Sequence, residues 1–451
     1  MADQVGSPSA SAIEDALTAV AEAVEIRREL VAADPDAYLP ELATALNNQS
    51  ALLSRLGRRQ DALTAIEEAV EIRRTLAAAR PDAFQPDLAS SLNNQSLMLS
   101  DLGRREDALE AMEEALEIRR TLAAARPDAF LPDLATALSN QSLTLTGLGR
   151  PEDALAAIEE TVEIRRGLAA ARPDALLPSL AISLSNRSAI LSGLGRREDA
   201  LAAIAEATEI YRGLATARPD AFQANLAISL STQSAMLSGL GRREDALAAI
   251  EETVEIRRTL VATRPDAFQP DLAGSLNNQS GCLSDLGRRE DALGAIEEAV
   301  EIRRTLAAAR PDAFQPDLAT ALNNQSLVLS GLGRREDALA AMEQSIEIYR
   351  GLAAARPDAF LPDLATALNN QSNRLGELGR REDALAAIEE AVNLLLPMLE
   401  RAEHGLPNAG LKLVQAYLKR SAEADGDPDP ELIQRIHAVL ISAGLVADEQ
   451  E

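Results

Sequence analysis

The chain has 451 residues, 71 acidic against 44 basic, for a formal charge of −27; 46% of its residues are hydrophobic and 2% aromatic. So acidic a chain lacks the clustered positive charge that nucleic acid requires, and it is repelled by anionic membranes, so neither is expected as a partner. The single cysteine, Cys282, excludes an intramolecular disulfide, and no apolar run approaches the roughly 20 residues of a membrane span.

Residues 1–10 carry neither the basic start nor the apolar core of a signal peptide. They are expected to form a disordered tail on a cytoplasmic protein. Ala, Leu, Glu and Arg dominate the remainder of the chain and lose little freedom in helices. Lysine occurs only at Lys412 and Lys419, which with the abundant alanine suggests a GC-rich bacterial gene.

Residues 11–33 read as one helix, with Ser11 and Glu14 as its capping box. Its strings EDAL (Glu14–Leu17) and EIRR (Glu25–Arg28) recur down the chain, always in the second helix of a pair. This opening helix therefore has no first helix before it. Either the small residues Ala19 and Ala23 make the uncovered stripe tolerable, or another copy of the chain docks there.

From Leu46 the string LNNQS or a variant returns every 46 residues, at Leu92, Leu138, Leu184, Leu230, Leu276, Leu322 and Leu368. The string GRREDAL keeps the same step, with glycines from Gly57 to Gly379. Such regularity marks stacked units that bury their apolar faces against each other. In the first unit one helix is expected from about Pro40 to Leu56, with Leu42, Leu46, Gln49, Leu53 and Leu56 on one stripe. Gly57 sits where a helix end favours a left-handed residue. A second helix is expected from about Arg58 to Arg80, with Ala62, Ile66, Ala69, Val70 and Leu76 inward. Pro81 stops it, and PDAFQP reads as the loop into the next unit.

This unit resembles the tetratricopeptide repeat, and most closely the longer form found in kinesin light chain and in many bacterial signalling and conflict proteins. Leu46, Gln49-Ser50, Leu53 and Leu56-Gly57 fit the family's first helix, and Ala62, Ile66 and Ala69 its second. The likeness covers residues 11–402. It implies an all-α fold, an α-solenoid coiled as a right-handed superhelix, with the leading helix 11–33 and then eight helix-turn-helix repeats. The period departs from the family's shorter one, Arg74 stands where the family closes with proline, and the family leucine is replaced by Gln49, Gln95, Gln141, Arg187, Gln233, Gln279, Gln325 and Gln371.

The last repeat has Leu395-Leu396-Pro397 where earlier ones have Arg-Arg after Ile. Charged positions that turn apolar need a cover. Residues 403–451 supply one as a C-terminal helical cap, with helices near 407–421 and 430–443 split by ADGDPDP.

In this family the first helices line a concave groove where a protein or extended peptide lies. The helical wheel puts Thr44, Asn47, Asn48, Ala51, Ser54 and Arg55 opposite the leucine stripe. The groove asparagines are then Asn47, Asn48, Asn93, Asn94, Asn140, Asn186, Asn277, Asn278, Asn323, Asn324, Asn369 and Asn370, with Ser139, Ser185, Ser231 and Thr232 at matching places. An amide both donates and accepts, so such a ladder can bind a peptide backbone of any sequence; equally, it can bond across to adjacent helices and stiffen the stack. Groove cations are few, Arg55, Arg187 and Arg374 standing alone, which argues against a carboxylate clamp.

The glutamine column is expected to form a structural ladder between units. The slot of Phe84, Phe130, Phe222, Phe268, Phe314 and Phe360 is expected to pin the inter-repeat loop. Glu67, Glu68, Glu71, Arg73 and Arg74 read as a solvated outer face. Cys282 reads as a small buried hydrophobe. His404 and His437 are the only histidines, no metal-ligand spacing appears, and every Gly-Arg-Arg is a helix turn rather than a phosphate loop. The expectation is a non-enzymatic peptide-binding scaffold without cofactor or metal. The alternatives are a self-associating structural solenoid, or a sensor or adaptor working with a separate effector.

Overall fold

The computed structural model describes residues 10–400, 408–423 and 429–442. Among them are nineteen helices and no strand, an all-α solenoid fold divided into two compact units, Met1–Phe222 and Gln223–Glu451. The first unit opens with α1 (Ala10–Ala33), followed by the pairs α2 (Pro35–Arg55) with α3 (Arg59–Ala79), α4 (Pro81–Asp101) with α5 (Arg105–Ala125), α6 (Pro127–Gly147) with α7 (Pro151–Ala171), and α8 (Pro173–Gly193) with α9 (Arg197–Ala217). The second comprises α10 (Pro219–Gly239), whose first turn holds the boundary, with α11 (Arg243–Thr263), α12 (Pro265–Asp285) with α13 (Arg289–Ala309), α14 (Pro311–Gly331) with α15 (Arg335–Ala355), and α16 (Pro357–Glu377) with α17 (Arg381–Leu399). It ends in α18 (Asn408–Glu423) and α19 (Pro430–Ser442).

Each pair turns on its glycine. Gly57 has φ +74, its N–H donates to Ser54 O and the Arg58 N–H donates to Leu53 O, both at 2.9 Å. This is the double closure of a Schellman motif, and it needs the left-handed conformation only glycine adopts freely.

The link between pairs is shorter than the sequence suggests. PDAFQP is helix, not loop. A single residue, Arg80, closes α3 and opens α4, with Pro81 at the first helical position. Arg80 is extended, as a residue before proline must be, and Pro81 lacks only an N–H that would be unpaired there anyway. First helices therefore begin five residues ahead of the expected Pro40, which α2 carries in its interior. The Phe84 ring does not pin a loop; it lies half-buried in the first turn of α4 beneath the Arg80 guanidinium, 4.8 Å from the ring centre. The same stack recurs at Phe130, Phe222, Phe268, Phe314 and Phe360.

The core of the first unit runs along two columns. Leu46, Leu92, Leu138 and Leu184 of the first helices, and Ile66, Met112, Ile158 and Ile204 of the second, are at most 1% exposed. Burial of each such side chain contributes about 1.5–3 kcal/mol. Ala43, Ala62 and their counterparts, fully buried, let the helices approach closely. At the start, Val24 of α1 joins this core while Ile26 remains 58% exposed. The second unit repeats both columns from Leu230 to Leu368 and from Ile250 to Ile388. There Leu395 and Leu396 are buried against Leu413, Val414 and Tyr417 of α18 and Leu432, Ile436 and Val439 of α19. Arg420 of α18 donates to Asn373 Oδ1 at 3.0 Å, at the same sequence interval that joins neighbouring first helices elsewhere, so α18 continues their register. No helix among the described residues is long and apolar enough to cross a membrane. His404, the expected tail and most of ADGDPDP lie outside the described residues.

Candidate protein-interaction face

First helices within a unit stand side by side, and their outward sides carry the asparagines. In the first unit Asn94 donates to Asn47 Oδ1 and Asn140 to Asn93 Oδ1, both at 3.0 Å. In the second, Asn324 donates to Asn277 at 2.8 Å and Asn370 to Asn323 at 2.9 Å. Each ladder spans three first helices and is not continued at Ser139 or Ser231, which stand in place of an asparagine. Asn186 and Asn369 are half-buried without a ladder bond among the described hydrogen bonds, and Asn48 and Asn278 are exposed without one. In the first unit the acceptor's N–H groups and the donor's carbonyl oxygen take no further bond among the described hydrogen bonds, whereas in the second Asn323 also donates to Asn324 Oδ1 at 3.4 Å. The ladder thus ties repeats together and still presents both hydrogen-bonding senses outward.

A second network lies behind it. Arg73 of α3 is only 7% exposed. It donates to Asp87 O of α4 at 2.9 Å and to Ser91 Oγ, and Ser91 donates to Asn47 Oδ1 at 3.3 Å. Burial pulls the Arg73 guanidinium below its ordinary pKa. Arg119, Arg165, Arg257 and Arg303 make the same reach to a first-helix carbonyl. In the place of this arginine Tyr349 bonds Thr320 at 3.0 Å. Arg73 therefore does not belong to the solvated face that its sequence neighbours suggest.

Arg74 does lie on that face. It pairs with Glu114 of the next second helix at 2.5 Å, and Arg120–Glu160, Arg166–Glu206, Arg258–Glu298 and Arg350–Glu390 repeat the bridge at 2.6–2.8 Å. The glutamine column sits in the furrows between these second helices, as Gln141 does among Glu113, Arg120, Asp153 and Glu160. The glutamines are half-buried and form no ladder among the described hydrogen bonds; water reaches their amides there, so no partner is required. Arg187, in the same column, reaches Glu159 of α7 at 3.4 Å and is not a cation of the first-helix face. Arg374 is buried at 8% and pairs with Glu377, which leaves Arg55 of the three expected there.

Two cations were missed. Arg105 and Arg289, the first residues of α5 and α13, extend onto the next first helix in the space left by Gly147 and Gly331. The signal was an arginine with a glycine 42 residues later inside the same unit, visible only once the pairing of helices is known; Arg197 and Gly239 share the spacing, yet nothing lies within 4 Å of a Cβ on Gly239. Arg289 lines a cavity of about 570 Å³ with Asn277, Asn278, Asn324, Gly281 and Leu327. Cys282 also lines it, half-buried rather than buried, with Sγ 3.8 Å from Ser234 Oγ. Burial pushes its thiol pKa up. No group of three or more metal-ligating side chains occurs among the described residues.

Models of the tetratricopeptide repeat match residues 41–121, and residues 134–169 and 318–353. A model of anaphase-promoting complex subunit 5 matches residues 169–217, 216–260, 273–309 and 363–395, each stretch falling on one helix pair. No curated protein matches the chain. Among solved structures, it is similar to BtubC (BKLC) from P. vanneervenii, at 20% identity and a TM-score of 0.45, over 57% of this chain and 95% of that one. It is also similar to the apo quorum sensor NprR from B. thuringiensis, at 14% identity and a TM-score of 0.47, over 85% of this chain and 98% of that one. A third similar structure is YrrB, described as a TPR protein with an unusual peptide-binding site, at 16% identity and a TM-score of 0.33, over 52% and 93%. The matched stretches in both units are thus tetratricopeptide repeats of a long form, and the remaining helix pairs keep the same 46-residue step and glycine turn.

Proposed function

We propose that the chain is a protein-binding scaffold that holds an extended peptide segment on its first-helix face, without catalysis. The observation that carries this reading is the paired asparagine ladder. Its amides are fixed by one or two bonds each and retain an unused donor hydrogen or acceptor lone pair, the pattern a peptide backbone offers in return. Five of the eight large apolar side chains exposed among the described residues, Leu97, Leu143, Ile182, Ile228 and Leu327, stand on the same helices. Exposed apolar groups gathered on one face favour a partner there.

Asn278 separates binding from stability, because it is exposed and outside the ladder. Peptides selected from a random display library on the full chain should lose about tenfold or more in affinity on Asn278→Ala, at unchanged melting temperature. Affinities within about twofold of wild type would remove the asparagines from the binding reading.

A further inference from the structure

The exposed aliphatic side chains of the first-helix face fall in two columns, and in two repeats one of them is joined by an arginine. Leu143 precedes Gly147, and Leu327 precedes Gly331, by one helical turn, so each leucine and glycine share a face. A Cβ on Gly147 would meet Arg105 Nε at 3.6 Å, and one on Gly331 would meet Arg289 Nε at 3.3 Å. The arginine therefore lies along the first helix beside the leucine, in the space the glycine leaves. Neither Arg105 nor Arg289 has an ion pair among the described residues, although their neighbours Arg104 and Arg288 are held by Asp107 and Asp291. In the repeats of Asp101, Asp285 and Glu377 an acid stands where the glycine would be.

The two copies differ in depth. Leu97 stands on the first helix before Leu143, whereas Gly281 holds that position before Leu327. Nothing lies within 4 Å of a Cβ built on Gly281, and the room belongs to the cavity of about 570 Å³ lined by Arg289, Leu327 and Asn278. Asp285 lines it too, without an ion pair to Arg289.

We propose that this cavity, lined by α10, α12 and α14, is an anchor pocket for a partner segment carrying an aliphatic side chain next to a single carboxylate. The aliphatic group occupies the space over Gly281 against Leu327, the carboxylate pairs with Arg289, and Asn278 takes the adjoining backbone. Charge complementarity selects this occupant: an unpaired guanidinium beside apolar surface favours one carboxylate, and Asp285 disfavours a run of acids. The inference rests on the peptide-binding reading above and adds the class of residue recognised.

The probe is the fluorescein-labelled peptide Gly-Ser-Leu-Asp-Gly-Ser, followed by anisotropy with the full chain. Versions with Leu replaced by Ser and Asp replaced by Lys serve as controls. The parent should bind at one site and each control at least about tenfold more weakly. Arg289→Glu and Gly281→Leu should each weaken it about tenfold or more, Arg289→Lys less than about threefold, and Arg105→Glu less than about twofold, with helicity unchanged throughout. Asp285→Asn should tighten it. Absence of parent binding, equal binding of either control, or indifference to both Arg289→Glu and Gly281→Leu would overturn the pocket. In each of those cases the scaffold reading would still stand if display-selected peptides depended on Asn278.

Discussion

Arg73 and Arg74 adjoin in sequence and serve opposite sides of the repeat. Arg73 is buried and ties α3 to the carbonyl of Asp87 and the hydroxyl of Ser91 on α4. Arg74 lies at the surface and bridges α3 to Glu114 on α5. The two thus join α3 to the next first helix through the interior and to the next second helix over the outside.

The interior joint should dominate. Arg73→Ala leaves a buried hydroxyl and a carbonyl short of a donor, and should cost about 2–3 kcal/mol in urea unfolding. Arg74→Ala removes one exposed ion pair and should cost less than about 1 kcal/mol. Arg73→Tyr should be the milder change at the buried site, since Tyr211 and Tyr349 occupy that column natively. Equal losses for Arg73→Ala and Arg74→Ala would contradict the division of labour.

The glycines divide in the same way. Gly57→Ala forces a side chain into φ +74 and should destabilise by about 1 kcal/mol or more. Gly274 and Gly281 lie inside α12 with open space at the Cβ position, so alanine at either should stabilise by about 0.5–1 kcal/mol. Thermal unfolding reads both signs.

Leu396 is fully buried beneath α18 and α19. Leu396→Arg restores the residue of the other repeats and places an unpaired charge in that core, at a cost of about 3–5 kcal/mol. Limited proteolysis should then cut within residues 400–442 first, while α2 to α15 stay protected. An unchanged digestion pattern would mean that α18 and α19 do not depend on this contact.

Cys282 should alkylate slowly. Burial raises its thiol pKa, so at pH 8 less thiolate is present than for an unperturbed cysteine. The rate should climb with pH up to the raised pKa and lie below that of glutathione at pH 8. A faster rate would mean the thiol is more accessible or more acidic than its surroundings indicate.

Much of this architecture was legible in the sequence, and the limits have physical causes. The 46-residue step, the glycine turns and the leucine and isoleucine columns come from periodicity, which reports the face a helix buries. PDAFQP misled because a proline six residues into a helix looks like a boundary, although Pro81 at the first position and the extended Arg80 already make the turn. Arg73, Arg187 and the glutamines misled for another reason. A helical wheel gives a side chain's direction but not which neighbouring helix covers it, so flanks between layers look like core or solvent. The asparagines faced two ways on the wheel, and the fold joins eight of them in pairs while leaving Asn48 and Asn278 exposed.

The central claim, a peptide held on the first helices, is tested most directly by hydrogen–deuterium exchange of the full chain with and without a saturating display-selected peptide. Binding should slow exchange in first helices such as α12 and α14 and leave the second helices α13 and α15 unchanged. Protection confined to the second helices, or to α1, would place the partner elsewhere and contradict the account.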